Sequence, residues 1–134
     1  MNSYVFDSFA MIALFRREQG DLMVKQILHE IIDGKAEGWI SSINVGELYY
    51  MLRRKNDSVF AKDAVEAILK LPVDIHEPNL NFTLSAARIK SESKISFADA
   101  HAAALTIEMK AILVTGDHEF DGLRKLSGFK VKFI

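Results

Sequence analysis

The sequence predicts one domain spanning residues 1–134, a three-layer α/β/α fold with a central parallel sheet and helices on both faces. Three observations carry this reading. Short apolar runs alternate with helical stretches along the whole chain. The stretches between strands are long enough to be crossover helices rather than hairpin turns. The composition, 49% hydrophobic and 26% charged, is that of an ordinary globular protein with enough apolar surface for a core.

The elements follow in order. Tyr4 to Phe6 reads as a short buried strand. Ser8 to Phe15 is a helix, with Phe9, Ile12 and Phe15 spaced along one face. Leu22 to Ile32 repeats that pattern through Val24, Ile27, Leu28, Ile31 and Ile32, and stops near Gly34. Trp39 to Ser41 is the second strand and Ile43 to Arg54 the third helix. Val59 to Leu71 is the fourth, with Val65, Ile68 and Leu69 turned inward. Pro72 and Pro78 bracket a third strand, Val73 to Ile75. Leu80 to Lys90 and Phe97 to Met109 are two further helices. Ala111 to Val114 is a continuous apolar strand; a polar loop and a last strand, Lys130 to Ile134, follow. No repeat, low-complexity run or linker interrupts the pattern.

Charge and composition exclude several classes. Seventeen basic residues against eighteen acidic ones give a net charge of −1, so there is no strongly basic surface; a local patch or a bound cation is left to attract nucleic acid. With no cysteine, disulfides, zinc–thiolate sites, thiol nucleophiles and iron–sulfur clusters are excluded. That absence fits a reducing cytoplasm, the expected location. No segment approaches the roughly 20 apolar residues of a membrane span. The start, Met1 to Asp7, lacks the basic residues and cleavage site of a signal peptide, so no membrane partner is expected.

In an open parallel sheet, ligands bind beyond the carboxyl ends of the strands, and four acids map there. Asp7 directly follows the first strand; taken alone it is a helix N-cap. Glu47, in Asn44-Val45-Gly46-Glu47-Leu48, has the spacing of a capping box with Asn44. Asp99, in Ser96-Phe97-Ala98-Asp99-Ala100, has the same spacing to Ser96. It opens a helix rich in alanine (Ala100, Ala102, Ala103, Ala104), which implies close packing on several sides. Asp117, in Thr115-Gly116-Asp117-His118-Glu119, leaves the fourth strand at what would otherwise be a plain turn. Each acid has a structural reading by itself. Together, at one end of one sheet, they would repel one another unless a proton or cation intervened. All-oxygen ligands suit a hard ion such as Mg²⁺ or Mn²⁺.

The set Val5-Phe6-Asp7-Ser8, Asn44-Val45-Gly46-Glu47-Leu48, Ser96-Phe97-Ala98-Asp99-Ala100 and Val114-Thr115-Gly116-Asp117-His118-Glu119-Phe120 resembles PIN-domain ribonucleases. It most resembles the VapC toxins of prokaryotic toxin–antitoxin pairs. The resemblance covers nearly the whole chain, in order. It implies a PIN-like fold in which Asp7, Glu47, Asp99 and Asp117 are the catalytic acids that hold Mg²⁺ or Mn²⁺, with Thr115 and Ser8 as supporting polar residues. Where the family often has a second Asp two residues after the fourth acid, this chain has Glu119, whose longer side chain is a further candidate ligand. The resemblance also implies an RNA substrate, a homodimer and a cognate VapB-like antitoxin covering a hydrophobic groove.

The chemistry expected is metal-dependent hydrolysis of RNA phosphodiesters by in-line attack of water, leaving a 5′-phosphate and a 3′-hydroxyl. Histidine is not required, and both His101 and His118 read as surface residues. Arg88 and Lys94, just ahead of the Asp99 motif, are the candidate phosphate contacts. Arg16-Arg17 and Arg53-Arg54-Lys55 end helices, where cations suit the macrodipole, on the side of the sheet away from the acids. In Tyr49-Tyr50-Met51-Leu52, four adjacent apolar positions cannot all face one core. Two other readings compete. One is a PIN-like scaffold that binds RNA or protein without cleaving. The other is a receiver-like signalling domain, which would need an acidic pair after the first strand and an Asp after the third. Here Ser8 follows Asp7, and Asp74 falls within the third strand.

Overall fold

The computed structural model describes residues 1–134. Five parallel strands form one sheet: β1 (Asn2–Phe6), β2 (Ala36–Ser41), β3 (Asp74–His76), β4 (Ile112–Thr115) and β5 (Val131–Phe133), in the order β3-β2-β1-β4-β5. Six helices connect them: α1 (Ser8–Arg16), α2 (Asp21–Ile32), α3 (Ser42–Lys55), α4 (Ser58–Lys70), α5 (Leu80–Ser91) and α6 (Phe97–Glu108).

Alternation along β1 divides the core. Tyr4 and Phe6 point into a cluster built with α1 to α4, around Met11, Ile27, Leu48, Leu52 and Ile68. Val5 points the other way, into a cluster with α5 and α6 around Phe82, Leu105, Leu113 and Phe120. Successive side chains of a strand face opposite sides, so this one strand anchors both helix layers. The expected α/β/α architecture is the observed one. The small-residue helix α6 is gripped on several sides, with Ala100, Ala102, Ala103 and Ala104 all buried.

Several details differ from the sequence reading, each for a physical reason. Strand β2 starts at Ala36, because Ala36 to Gly38 pair with Asn2 to Tyr4. Strand β3 runs Asp74–His76, one residue later than expected, and β5 is shorter at both ends. The polar loop after β4 contains a 3-10 helix, His118–Leu123, which buries Phe120 and Leu123. In α4, Leu69 is exposed, and the inward face is Ala61, Ala64 and Ile68. Helix α3 is capped by Ser41, whose Oγ accepts from Ile43 N at 3.2 Å. Asn44 therefore lies within the helix, and there is no Asn44–Glu47 capping box. The reason is that β2 runs straight into α3, so the cap falls on the last strand residue.

The chain builds β1, β2 and β3 to one side, then crosses back to lay β4 and β5 on the other. Neighbouring strands β1 and β4 thus feed loops that diverge, and a crevice opens between them at their carboxyl ends. Asp7 leaves β1 there, and Thr115, Gly116 and Asp117 leave β4.

Candidate active site

At that crevice lies a cleft of about 520 Å³. Its floor is Asp7, Asp99 and Asp117. One wall is α1, through Ser8, Phe9 and Ile12, continued by Glu18 and Gln19. The opposite wall is α3, through Glu47, Met51 and Lys55. All four sequence-predicted acids line this one cleft, although they come from distant parts of the chain.

Asp7 is both cap and site residue. Its Oδ1 accepts from Ala10 N at 2.8 Å, closing the first turn of α1, and its Oδ2 accepts from the Thr115 hydroxyl. With both oxygens held and the residue buried, the carboxylate has a fixed orientation. Burial pushes its pKa up to about 7. The Thr115 and Ala10 hydrogen bonds oppose that shift, and the charges of Asp99 and Asp117 add to it. Asp99 is pushed up to about 6, first by burial and then by Glu47, with Asp117 and Glu119 adding more. The five carboxylates therefore form one electrostatic unit, in which a proton or a cation is favoured.

The remaining acids are placed by short local contacts. Glu47 accepts from the Ser8 hydroxyl, which joins α3 to α1. Ser96 Oγ accepts from Asp99 N at 3.1 Å, so the cap of α6 sets the height of Asp99. Thr115 Oγ1 accepts from Asp117 N at 3.0 Å. Asp117 in turn caps the 3-10 helix by accepting from Glu119 N at 2.9 Å. Besides lining the cleft it is thus a helix cap, where the sequence taken alone offered a turn. Asp99, Asp117 and Glu119 each offer a carboxylate oxygen, all within 4.8 Å of one another. The spacing brings Glu119 into the acidic group. Three oxygens so close, with no nitrogen or sulfur donor, fit a hard divalent cation.

Other sequence-marked residues are placed as follows. His101 is buried, contrary to the surface reading: its Nδ1 lies 2.8 Å from Phe97 O and its ring packs edge-on against Phe97. His118 is exposed and stacks on Phe133. Lys94 lines a separate groove with Glu92, Ile95 and Glu119. Arg88 is exposed on α5 and is not among the residues lining the acidic cleft. Tyr49 and Tyr50 are exposed, each under an arginine (Arg53 and Arg54), while Leu52 is in the core.

Three site features were not anticipated. Lys55 lines the acidic cleft rather than lying away from it. Glu47, Met51 and Lys55 are four residues apart and form one stripe of α3. Helix α3 packs against α1, α4 and α6, and this packing keeps the stripe beside the cleft. The spacing was readable, but the helix direction was not. Asn44 is fully buried, and its Nδ2 donates to Ala98 O at 3.4 Å. It ties the helix carrying Glu47 to the turn carrying Asp99. Phe9, expected on the core face of α1, instead lies over Gly116. A Cβ at Gly116 would stand 2.2 Å from Phe9 Cε1. Gly116→Ala is therefore expected to lower stability by about 1–3 kcal/mol through overpacking, read from the urea midpoint; an unchanged midpoint would mean the ring swings aside freely.

A family model for the PIN domain matches residues 4–126. The chain belongs to the PIN domain family. Solved structures agree in fold. The VapBC2 complex of Rickettsia felis, bound to a promoter DNA fragment, gives a TM-score of 0.74 at 15% identity, covering 98% of each chain. VapC20 of Mycobacterium tuberculosis, described as a sarcin–ricin loop cleaving toxin, gives 0.75 at 18% identity over 90% of this chain and 95% of that one. The DNA-bound VapBC of Salmonella typhimurium gives 0.73 at 16% identity over 99% and 98%. No curated protein matches by sequence. In this PIN domain the acidic cleft lies at the switch point of the sheet, and no helix is long and apolar enough to cross a membrane.

Proposed function

We propose that this PIN domain is a Mg²⁺- or Mn²⁺-dependent endoribonuclease, the VapC-type toxin of a toxin–antitoxin pair. The observation that carries the reading is the convergence of Asp7, Glu47, Asp99 and Asp117 on one cleft, with Glu119 within carboxylate reach of two of them. These residues would hold the cation. When bound, it offsets phosphodiester charge, lowers the pKa of a coordinated water and steadies the leaving oxygen.

The chain's own residues do the positioning. Thr115 and the Ala10 N–H fix the two oxygens of Asp7, and the Ser8 hydroxyl fixes Glu47. Asn44 keeps α3 and the start of α6 in register. Lys55 is the cation on the cleft wall, and no carboxylate pairs with it. It is assigned to a substrate phosphate, with Lys94 beside Glu119 and the exposed Arg88 as further contacts. Lys55→Ala is expected to weaken RNA binding and to reduce the slope of log affinity against log salt by about 1. An unchanged slope would remove Lys55 from the interface.

The relatives support the remaining partners. Several are VapBC complexes, which supports a VapB-like antitoxin here, and one is described as cleaving the sarcin–ricin loop, which supports RNA as substrate. The exposed Tyr49, Tyr50 and Val59 on α3 and α4 support a homodimer, and the cytoplasm is the compartment proposed. The test is incubation of the antitoxin-free protein with total cellular RNA, with Mg²⁺ or with EDTA. Cleavage that requires the ion and leaves a 5′-phosphate is expected. Products ending in a 2′,3′-cyclic phosphate would mean attack by the ribose hydroxyl and would overturn the mechanism.

A further inference from the structure

Phe9 stands apart from the rest of α1. Its neighbours Asp7, Ser8, Ala10 and Met11 are buried, yet Phe9 is 45% exposed and lines the acidic cleft. One part of its ring lies against Gly116, the residue before Asp117: a Cβ there would meet Cε1, Cδ1 and Cζ at 2.2, 2.7 and 2.9 Å. The ring thus bridges the two loops that open the crevice, two residues after Asp7 and one before Asp117. A glycine at position 116 is what lets it lie there. The result is a flat apolar surface, partly open to the cleft, directly beside the acids.

The surroundings select what such a surface would hold. Glu18, Glu47 and the three aspartates repel an acidic ligand except at a bound cation or at Lys55. A nucleotide answers both features at once, with phosphate toward the cation and base toward the ring. Base–aromatic stacking is tolerant of base identity, because every base has a π-face. Bases within an RNA duplex are already stacked, so a protein ring reaches them only in single-stranded segments.

Resting on the nuclease reading above, we propose that Phe9 is the stacking platform for an unpaired base next to the scissile phosphodiester. Phe9 is then a positioning residue. Its variants change how substrate is held, not how the cation is held.

The test measures binding by the native chain, the reference protein, with Ca²⁺ in place of Mg²⁺: Ca²⁺ is also an oxygen-ligated cation but polarises bound water less, so the cation site is filled while cleavage is slowed. The probes are single-stranded oligoadenylate, its duplex with oligouridylate, and inorganic polyphosphate, which carries charge without bases. Phe9→Leu is expected to weaken oligoadenylate binding about five- to hundredfold, the range for loss of one stack. Phe9→Trp should restore it. Polyphosphate and duplex should bind Phe9→Leu as they bind the reference protein. Equal oligoadenylate binding by Phe9→Leu and the reference overturns the stacking role and leaves the nuclease reading intact. A reference protein that binds neither oligoadenylate nor polyphosphate overturns the RNA reading itself, and the proposal with it. A matching fall in polyphosphate binding also overturns it, because the loss would then be structural.

Discussion

Asp99→Asn is expected to lower RNA cleavage by on the order of a thousandfold, comparable to losing a principal electrostatic contact at a reacting centre. The substitution is nearly isosteric, and the cap of α6 does not depend on the side chain, since Ser96 accepts from the backbone N–H of Asp99. What changes is charge at the point where Glu47, Asp117 and Glu119 converge. The variant should therefore fold and melt cooperatively while losing activity. Cleavage measured with Mg²⁺ against the native chain checks this. Activity within a few-fold of native would mean that Asp99 is only a helix-terminus residue.

The second large effect is on stability. The Asp7 carboxyl titrates near 7 in the fold, against 3.8 when unperturbed. Because the folded value is the higher one, the native state binds the extra proton. The associated stability is present below about pH 4 and is lost as pH rises through about 7. Asp7 alone makes the metal-free protein less stable by roughly 3 kcal/mol across that window, and Asp99, raised to about 6, acts in the same direction. Asp7→Asn should flatten the pH dependence and raise the melting temperature of the metal-free protein near pH 7.5. Asn can still accept from Ala10 N and meet the Thr115 hydroxyl, so the cap survives. Mg²⁺ is expected to stabilise the native chain by mass action, and to do so more at high pH, where no proton competes for the carboxylates. Thermal melts across pH, with and without Mg²⁺, test both signs. A metal-free protein that gains stability from pH 4 to 7, or an Asp7→Asn variant that melts lower, would contradict the account. The same carboxylates that would hold a cation thus make the metal-free fold less stable.

Much of this was legible in the chain. Each strand is a short apolar run followed by a helical period, and the sheet order then brings Asp7 and Asp117 to the same crevice. What stayed hidden depended on tertiary packing. The period placed Phe9 with Ile12 and Phe15, but it could not show that the ring lies over Gly116. Lys55 follows Glu47 by eight residues, yet its position depends on α3 leaning on α1 and α4. His101 is polar in sequence and buried in fact, because its Nδ1 meets Phe97 O and its ring packs on Phe97. Capping was the weakest part of the reading. Asn44 and Glu47 have the spacing of a box, but Ser41 takes the cap, and the two residues do other work.

If these acids hold a divalent cation, calorimetric titration of the antitoxin-free chain with Mn²⁺, beside Asp99→Asn, should detect it. Saturable binding by the native chain is expected, lost or strongly weakened in the variant. No binding by the native chain, or equal binding by both, would contradict that assignment.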